Sequence, residues 1–445
     1  MISGATINYT GTGGTYGRSF TVGDGTFGLS NNGSGALVIS SATNIDFSDT
    51  VGASRILSLS GANMDNNKFA AATFDPNDID TARVFSQIIK DGVGTWILSG
   101  PKNRFRGDVR ITNGTLGFET GTLPDNQRIS MSDGAVLRWE AGNTDDISGK
   151  LNPDAGANVV LKVNGGSVTF AMDMIFVGTG ATANSITARV TKSGASDLEI
   201  THSQSFTGGF TVNAGKLVAT AAGSLGTGKA IVNSGGTLAA NGNNSGADVD
   251  VNNGGILMGT GSLKAVTIMT GGTLAPGASP GTLITDSLAL GSNSNYQWQV
   301  HDASGVAGIG WDKIMVTNNL DLSGVSSAGT RISINVMSLH ASSDTVAGNA
   351  INWSKDDIHT FLFGHIGGII YNTGYSTQIA DYFSFNTSDF TTSDNTGIHN
   401  SLWSMSYDSI SGDITLTAVP EPSTYGFAIG ALALAAAAIR RRKQK

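Results

Sequence analysis

A short motif recurs through the middle of this 445-residue chain and sets what it can become. A β-branched run is followed by two glycines, one further residue and a leucine. Ile231-Val232-Asn233-Ser234-Gly235-Gly236-Thr237-Leu238 is followed by Val249-Asp250-Val251-Asn252-Asn253-Gly254-Gly255-Ile256-Leu257. Val266-Thr267-Ile268-Met269-Thr270-Gly271-Gly272-Thr273-Leu274 comes next. The closing leucines stand at 217, 238, 257 and 274, and Leu116 and Leu137 repeat the first step. A period of about 20 residues built from short strands suits one coil of a parallel β-helix. Glycine pairs supply the positive φ that tight corners need. Alternating Val, Ile and Leu point inward and stack on the next coil at ~4.8 Å. Thr, Asn and Ser take the outward positions. A β-sandwich does not predict this constant spacing. The expected fold class is therefore all-β: a right-handed parallel β-helix or solenoid.

Two longer copies of the pattern precede the regular coils. Gly92-Val93-Gly94-Thr95-Trp96-Ile97-Leu98-Ser99-Gly100 leads through Asn103 and Phe105-Arg106-Gly107 to Val109-Arg110-Ile111-Thr112-Asn113-Gly114-Thr115-Leu116. The pattern returns at Lys192-Ser193-Gly194, Leu198-Glu199-Ile200, Ser205-Phe206-Thr207-Gly208-Gly209 and Phe210-Thr211-Val212-Asn213-Ala214-Gly215-Lys216-Leu217. This resembles the passenger-associated transport repeat, the autotransporter-associated β-strand repeat. The resemblance implies that Thr273-Leu274-Ala275-Pro276-Gly277-Ala278-Ser279-Pro280-Gly281-Thr282-Leu283 closes the repeat array. Four of the six tryptophans come after it, Trp298, Trp311, Trp353 and Trp403, together with Phe361 and Phe363. A solenoid end exposes an unpaired edge, so this segment is expected to form a C-terminal β-cap. Expected divisions are an N-terminal β-solenoid region (1–91), autotransporter-type repeats (92–283), an aromatic-rich β-cap domain (284–418) and a sorting and anchor segment (419–445).

The last segment has three parts. Pro420 and Pro422 bracket Glu421 and favour an extended, unpaired backbone. Tyr425 to Ile439 is uncharged and apolar, and Arg440, Arg441, Arg442 and Lys443 follow. A helix from Ser423 to Ile439 would be about 25 Å long, at the short end for crossing a bilayer. The four cations would keep its end cytoplasmic. Triplet, apolar run and cations together resemble the PEP-CTERM sorting signal. That resemblance implies export in a Gram-negative bacterium and an inner-membrane-anchored precursor held by one C-terminal transmembrane helix. It also implies a membrane protease partner, exosortase, that reads Pro420, Glu421 and Pro422, and an association with extracellular polysaccharide. Export needs a leader, and Met1-Ile2-Ser3-Gly4-Ala5-Thr6 has neither a charged region nor an apolar core. The natural start is expected upstream.

Composition narrows the function classes. Cysteine is absent, so the exported fold must stand without disulfides. Five of the 26 basic residues fall in the last six positions, which leaves 21 cations against 34 carboxylates before them. That balance argues against a nucleic-acid partner. Catalytic and cofactor patterns fail on context. Gly277-Ala278-Ser279-Pro280-Gly281 matches a nucleophile elbow, but Pro280 has no N–H for an oxyanion and no helix pattern follows. Gly23-Asp24-Gly25-Thr26-Phe27-Gly28 reads as a turn, with no helix to receive a pyrophosphate. In Gly223-Ser224-Leu225-Gly226-Thr227-Gly228-Lys229-Ala230, Ala230 replaces the Mg²⁺-binding hydroxyl. Histidines 202, 301, 340, 359, 365 and 399 show no ligand spacing. The acids at Asp75/Asp78/Asp80, Asp145/Asp146 and Asp356/Asp357 read as loop solvation. No catalytic, cofactor or metal residue is therefore assigned, and no cofactor is expected. The function expected is an exported structural or adhesive solenoid at the cell surface or in the matrix. The alternative is a polysaccharide-binding or polysaccharide-degrading β-helix, which in the degrading case needs clustered outward carboxylates.

Overall fold

The computed structural model describes residues 1–47, 54–71, 84–100, 107–123, 127–174, 187–340, 342–354, 356–372, 374–391 and 402–419. Within them, short strands stack in parallel, each on its counterpart one coil away. The leucine repeat forms one long column. Val168, Leu198, Leu217, Leu238, Leu257, Leu274, Tyr296 and Ile334 are successive Cα partners. None of these is more than 1% exposed. Burying each such side chain stabilises the fold by about 1.5–3 kcal/mol, and every coil adds one more to the column.

One sheet runs most of the length of the chain. Thr95–Leu98, Thr115–Phe118, Val136–Trp139 and Asn158–Val163 pair in that order. Arg189–Ser193, Phe210–Val212, Ala230–Val232 and Val249–Val251 carry it on. A second sheet extends from Ala5–Tyr9 to Leu151–Pro153. A third begins at Val168–Phe170 and reaches Phe383–Asp389. The change falls at Asn158–Val163. This six-residue strand pairs backward with Val136–Trp139 as the end of one repeat and forward with Arg189–Ser193 as the start of another. Leu116 and Leu137 accordingly stack in the long sheet, whereas Leu217, Leu238, Leu257 and Leu274 stack in the third. Corners in the regular coils use the left-handed backbone that glycine allows, with φ of 82° at Gly235, 73° at Gly254 and 74° at Gly271.

At the C-terminal end the pairing turns antiparallel. His359–Ile366 and Trp403–Asp408 both pair with Asp413–Ala418. Trp298 packs against Phe361 and Trp403 there, with ring centroids 5.1 and 5.9 Å apart. Parallel stacking thus gives way to two antiparallel ladders at this end.

Three expectations need correction together. The fold class with one C-terminal transmembrane helix, the membrane as partner through that helix, and the inner-membrane-anchored precursor all assumed a spanning helix. No helix among the described residues is long and apolar enough to cross a membrane. The named helical elements are 3-10 turns such as Ser148–Lys150, Ala328–Thr330 and Ile379–Tyr382. The expected helix fell on residues 420–445, which lie outside the described residues. The apolar run, the four cations after it and the resemblance to the sorting signal had suggested it. As a helix from Ser423 to Ile439 it would be about 25 Å long, short of the ~30 Å hydrocarbon core.

Candidate functional surface

The third sheet presents an outer face of unusual chemistry for an acidic chain. Its strands include Gly236–Ala240, Ile256–Gly259, Thr273–Pro276, Asn295–Val300 and Ile332–His340 before Phe383–Asp389. Outward positions form one ladder of Thr237, Ile256, Thr273, Asn295, Ser333 and Ser384. A second runs through Gln297, Asn335 and Asn386. Between Thr237 and Asn386 these two ladders carry no Asp, Glu, Lys or Arg, and Lys216 is the rung before Thr237. Asn386 Nδ2 donates to Asn335 Oδ1 at 3.0 Å, and Ser333 Oγ donates to the same oxygen at 3.2 Å. Gln297 and Gln299 direct Nε2 at the Met337 sulfur, 3.9 and 3.7 Å away. A thioether is a weak acceptor, so both amides keep hydrogen-bonding capacity for a ligand.

Charged side chains mostly tie neighbouring coils together. Arg128 meets Asp108 at 2.5 Å, Lys229 meets Asp250 at 2.7 Å, Arg110 meets Asp154 at 3.1 Å and Lys264 meets Asp248 at 3.4 Å. Each of these carboxylates is therefore engaged with a cation. No group of three or more His, Asp or Glu suited to a metal occurs among the described residues.

The residues singled out by motif fall as follows. Ser279 sits in a loop between Thr273–Pro276 and Thr282–Leu290, and its Oγ donates to Gln299 Oε1 at 3.2 Å. Gly25–Asn31 is a strand, and Lys229 of the phosphate-loop lookalike is spent on Asp250. His365 Nδ1 lies 2.9 Å from Asp413 Oδ1 across the antiparallel pair. His399 and the acids 75, 78 and 80 lie outside the described residues, as do Asn103, Phe105 and Arg106 of the first repeat. So do Pro420, Glu421 and Pro422 and the cations Arg440, Arg441, Arg442 and Lys443. The described chain ends on the surface at Val419, 41% exposed, whose N–H donates to the Leu402 carbonyl at 3.0 Å.

Two lysines escaped the sequence reading. Lys90 and Lys192 have no exposed surface. Lys90 Nζ donates to the carbonyls of Asp91, Gly92 and Asn113 at 2.9, 2.7 and 3.0 Å. Lys192 Nζ does the same with Ser193, Gly194 and Ala214 at 3.2, 2.8 and 2.8 Å. Burial pushes both amines down to about 8, against the opposing pull of Asp91 and Asp197. Their common place two residues before a glycine was the available signal.

Comparison with known proteins gives the same two regions. The passenger-associated-transport-repeat family model matches residues 88–117 and 190–219, and the PEP-CTERM protein-sorting motif matches residues 418–443. The adhesin BmaC autotransporter of Brucella suis biovar 1 (strain 1330) is 32% identical over 137 residues. That stretch is 30% of this chain and 4% of the adhesin, so the chain spans a small part of that relative's length. The chain carries two passenger-associated-transport repeats within one parallel β-solenoid, followed by a PEP-CTERM protein-sorting motif.

Proposed function

We propose that this chain is an exported β-solenoid that works outside the cell as a structural and adhesive rod, without catalytic chemistry. The observation that carries the reading is the pair of uncharged rows, rich in amides and hydroxyls, from Thr237 to Ser384 and from Gln297 to Asn386 on the third sheet. A rigid sheet holds these groups in fixed rows, so binding costs little ordering entropy. Donors and acceptors without charge suit the hydroxyls of a neutral polysaccharide. The adhesin similarity and the sorting motif support a surface or matrix location. Retention of the full chain on immobilised neutral polysaccharides is the test. Gln297→Ala with Asn335→Ala is expected to weaken retention roughly tenfold, the equivalent of one or two hydrogen bonds. Equal retention of variant and parent would remove this face from the binding role.

An exosortase-type protease reading Pro420, Glu421 and Pro422 completes the proposal. Replacing all three by Ala is expected to leave the full-length chain unprocessed. C-terminal mass spectrometry of the native protein is expected to find an end near Pro422 to Thr424. Normal maturation of the triple variant would rule out that motif as the recognition element.

A further inference from the structure

Lys90 and Lys192 occupy the third position of the two matched repeats. Both stand in columns of inward apolar side chains, Lys90 between Leu59 and Ile111 and Lys192 between Leu161 and Val212. The regular coils fill the later rungs of the second column with Val232 and Val251. An ammonium is a costly substitute for valine, because its charge must leave water. Its gain is direction. Two of its three acceptors belong to its own corner, Asp91 and Gly92 or Ser193 and Gly194. The third comes from the corner of the following coil, Asn113 or Ala214. All three N–H bonds are used, and the set is complete only when that coil is docked in register.

We propose that each buried lysine is a coupling lock that makes its repeat and the following coil fold as one cooperative unit. In a solenoid, cooperativity rests on nearest-neighbour terms. Apolar stacking gives such a term without direction, since side chains tolerate small slips. The lysine adds a term that a slipped coil cannot satisfy. The charged groups acting on the two amines are few. Asp91, which accepts from Thr112 Oγ1 at 2.8 Å, acts on Lys90. Asp197, 3.8 Å from Lys216, acts on Lys192. Arg110 and Lys162 stand on the adjoining strands at half-buried and exposed positions, and Arg110 is paired with Asp154.

Lys90→Met and Lys192→Met in the full chain test the proposal, since methionine keeps most of the volume and loses every donor. Urea unfolding is expected to broaden or split, with a lower m-value, because fewer coils open together. Amide exchange at Thr95–Leu98 and Thr115–Phe118 is expected to speed on the order of tenfold in Lys90→Met. Val109→Ala is the control: it trims the core beside Lys90 and leaves the carbonyl set, so its midpoint falls at constant m. A Lys→Met variant that behaves like Val109→Ala overturns the lock. Should the methionine variants fail to fold, the unmodified protein supplies the test. A neutral amine has two N–H groups and must release one carbonyl. Exchange in the paired coils, corrected for its intrinsic rate, is therefore expected to change as pH passes about 8. A flat profile overturns the proposal.

Discussion

Gly242→Ala is expected to destabilise the solenoid by roughly 3 kcal/mol or more. A Cβ at Gly242 would stand 2.1 Å from the Gly223 carbonyl oxygen and 2.4 Å from that of Thr220, both in the preceding coil. The contact is backbone on backbone, so no side chain can swing aside. Gly261 approaches the Gly242 carbonyl in the same way, at 2.1 Å. One methyl here must therefore push two coils apart or bend a corner that its neighbours hold. Gly121→Ala supplies the scale. Its φ of 71° is left-handed, yet nothing lies within 4 Å of the added Cβ, so only the backbone term of about 1–2 kcal/mol applies. Urea midpoints of the two variants should separate clearly. Similar midpoints would mean that the coils are looser at this corner than their backbone spacing indicates.

The glycine and leucine positions were legible because both follow from the geometry of one coil. A fixed spacing of Gly-Gly-x-Leu leaves few folds open, and Leu217, Leu238, Leu257 and Leu274 do stack. The shift of sheets was not legible. Asn158-Val159-Val160-Leu161-Lys162-Val163 contains no glycine between its two roles, so it reads as one ordinary strand. The buried lysines were hidden for another reason. A lysine at or near the end of a short strand, after Ile89 or Thr191, reads as an outward position, since lysine is almost never fully buried without partners, and backbone carbonyls as partners leave no trace in side-chain pattern. The candidate binding face showed as composition, in Thr, Asn and Ser. Its gathering onto one sheet needed the register, because Thr273, Asn295 and Ser333 are far apart in sequence and adjacent across the strands.

Asp312→Ala is the second change expected to be costly, by about 2–5 kcal/mol, because it strands two buried donors. Asp312 is 1% exposed. Its Oδ1 accepts the Gly281 N–H and its Oδ2 the Gln299 N–H, both at 2.9 Å. The Trp298 indole donates to its backbone carbonyl at 2.8 Å. One carboxyl thus fastens the loop ending at Gly281 onto the strand Asn295–Val300. Burial lifts its pKa well above the ordinary carboxylate range, against the two N–H donors that favour the anion. The folded chain therefore holds this proton more tightly than the unfolded chain, whose aspartate titrates near 3.9. The stabilising contribution is complete below pH of about 4 and declines as pH rises toward the folded value. Asp312→Asn removes the titration while keeping the shape, although one amide N–H then faces a backbone donor and lowers stability by a pH-independent amount. Urea midpoints of parent minus variant should accordingly fall from pH 4 upward. A difference that stays level or rises over that range would show that Asp312 is ionised in the fold, with its two N–H donors outweighing its burial.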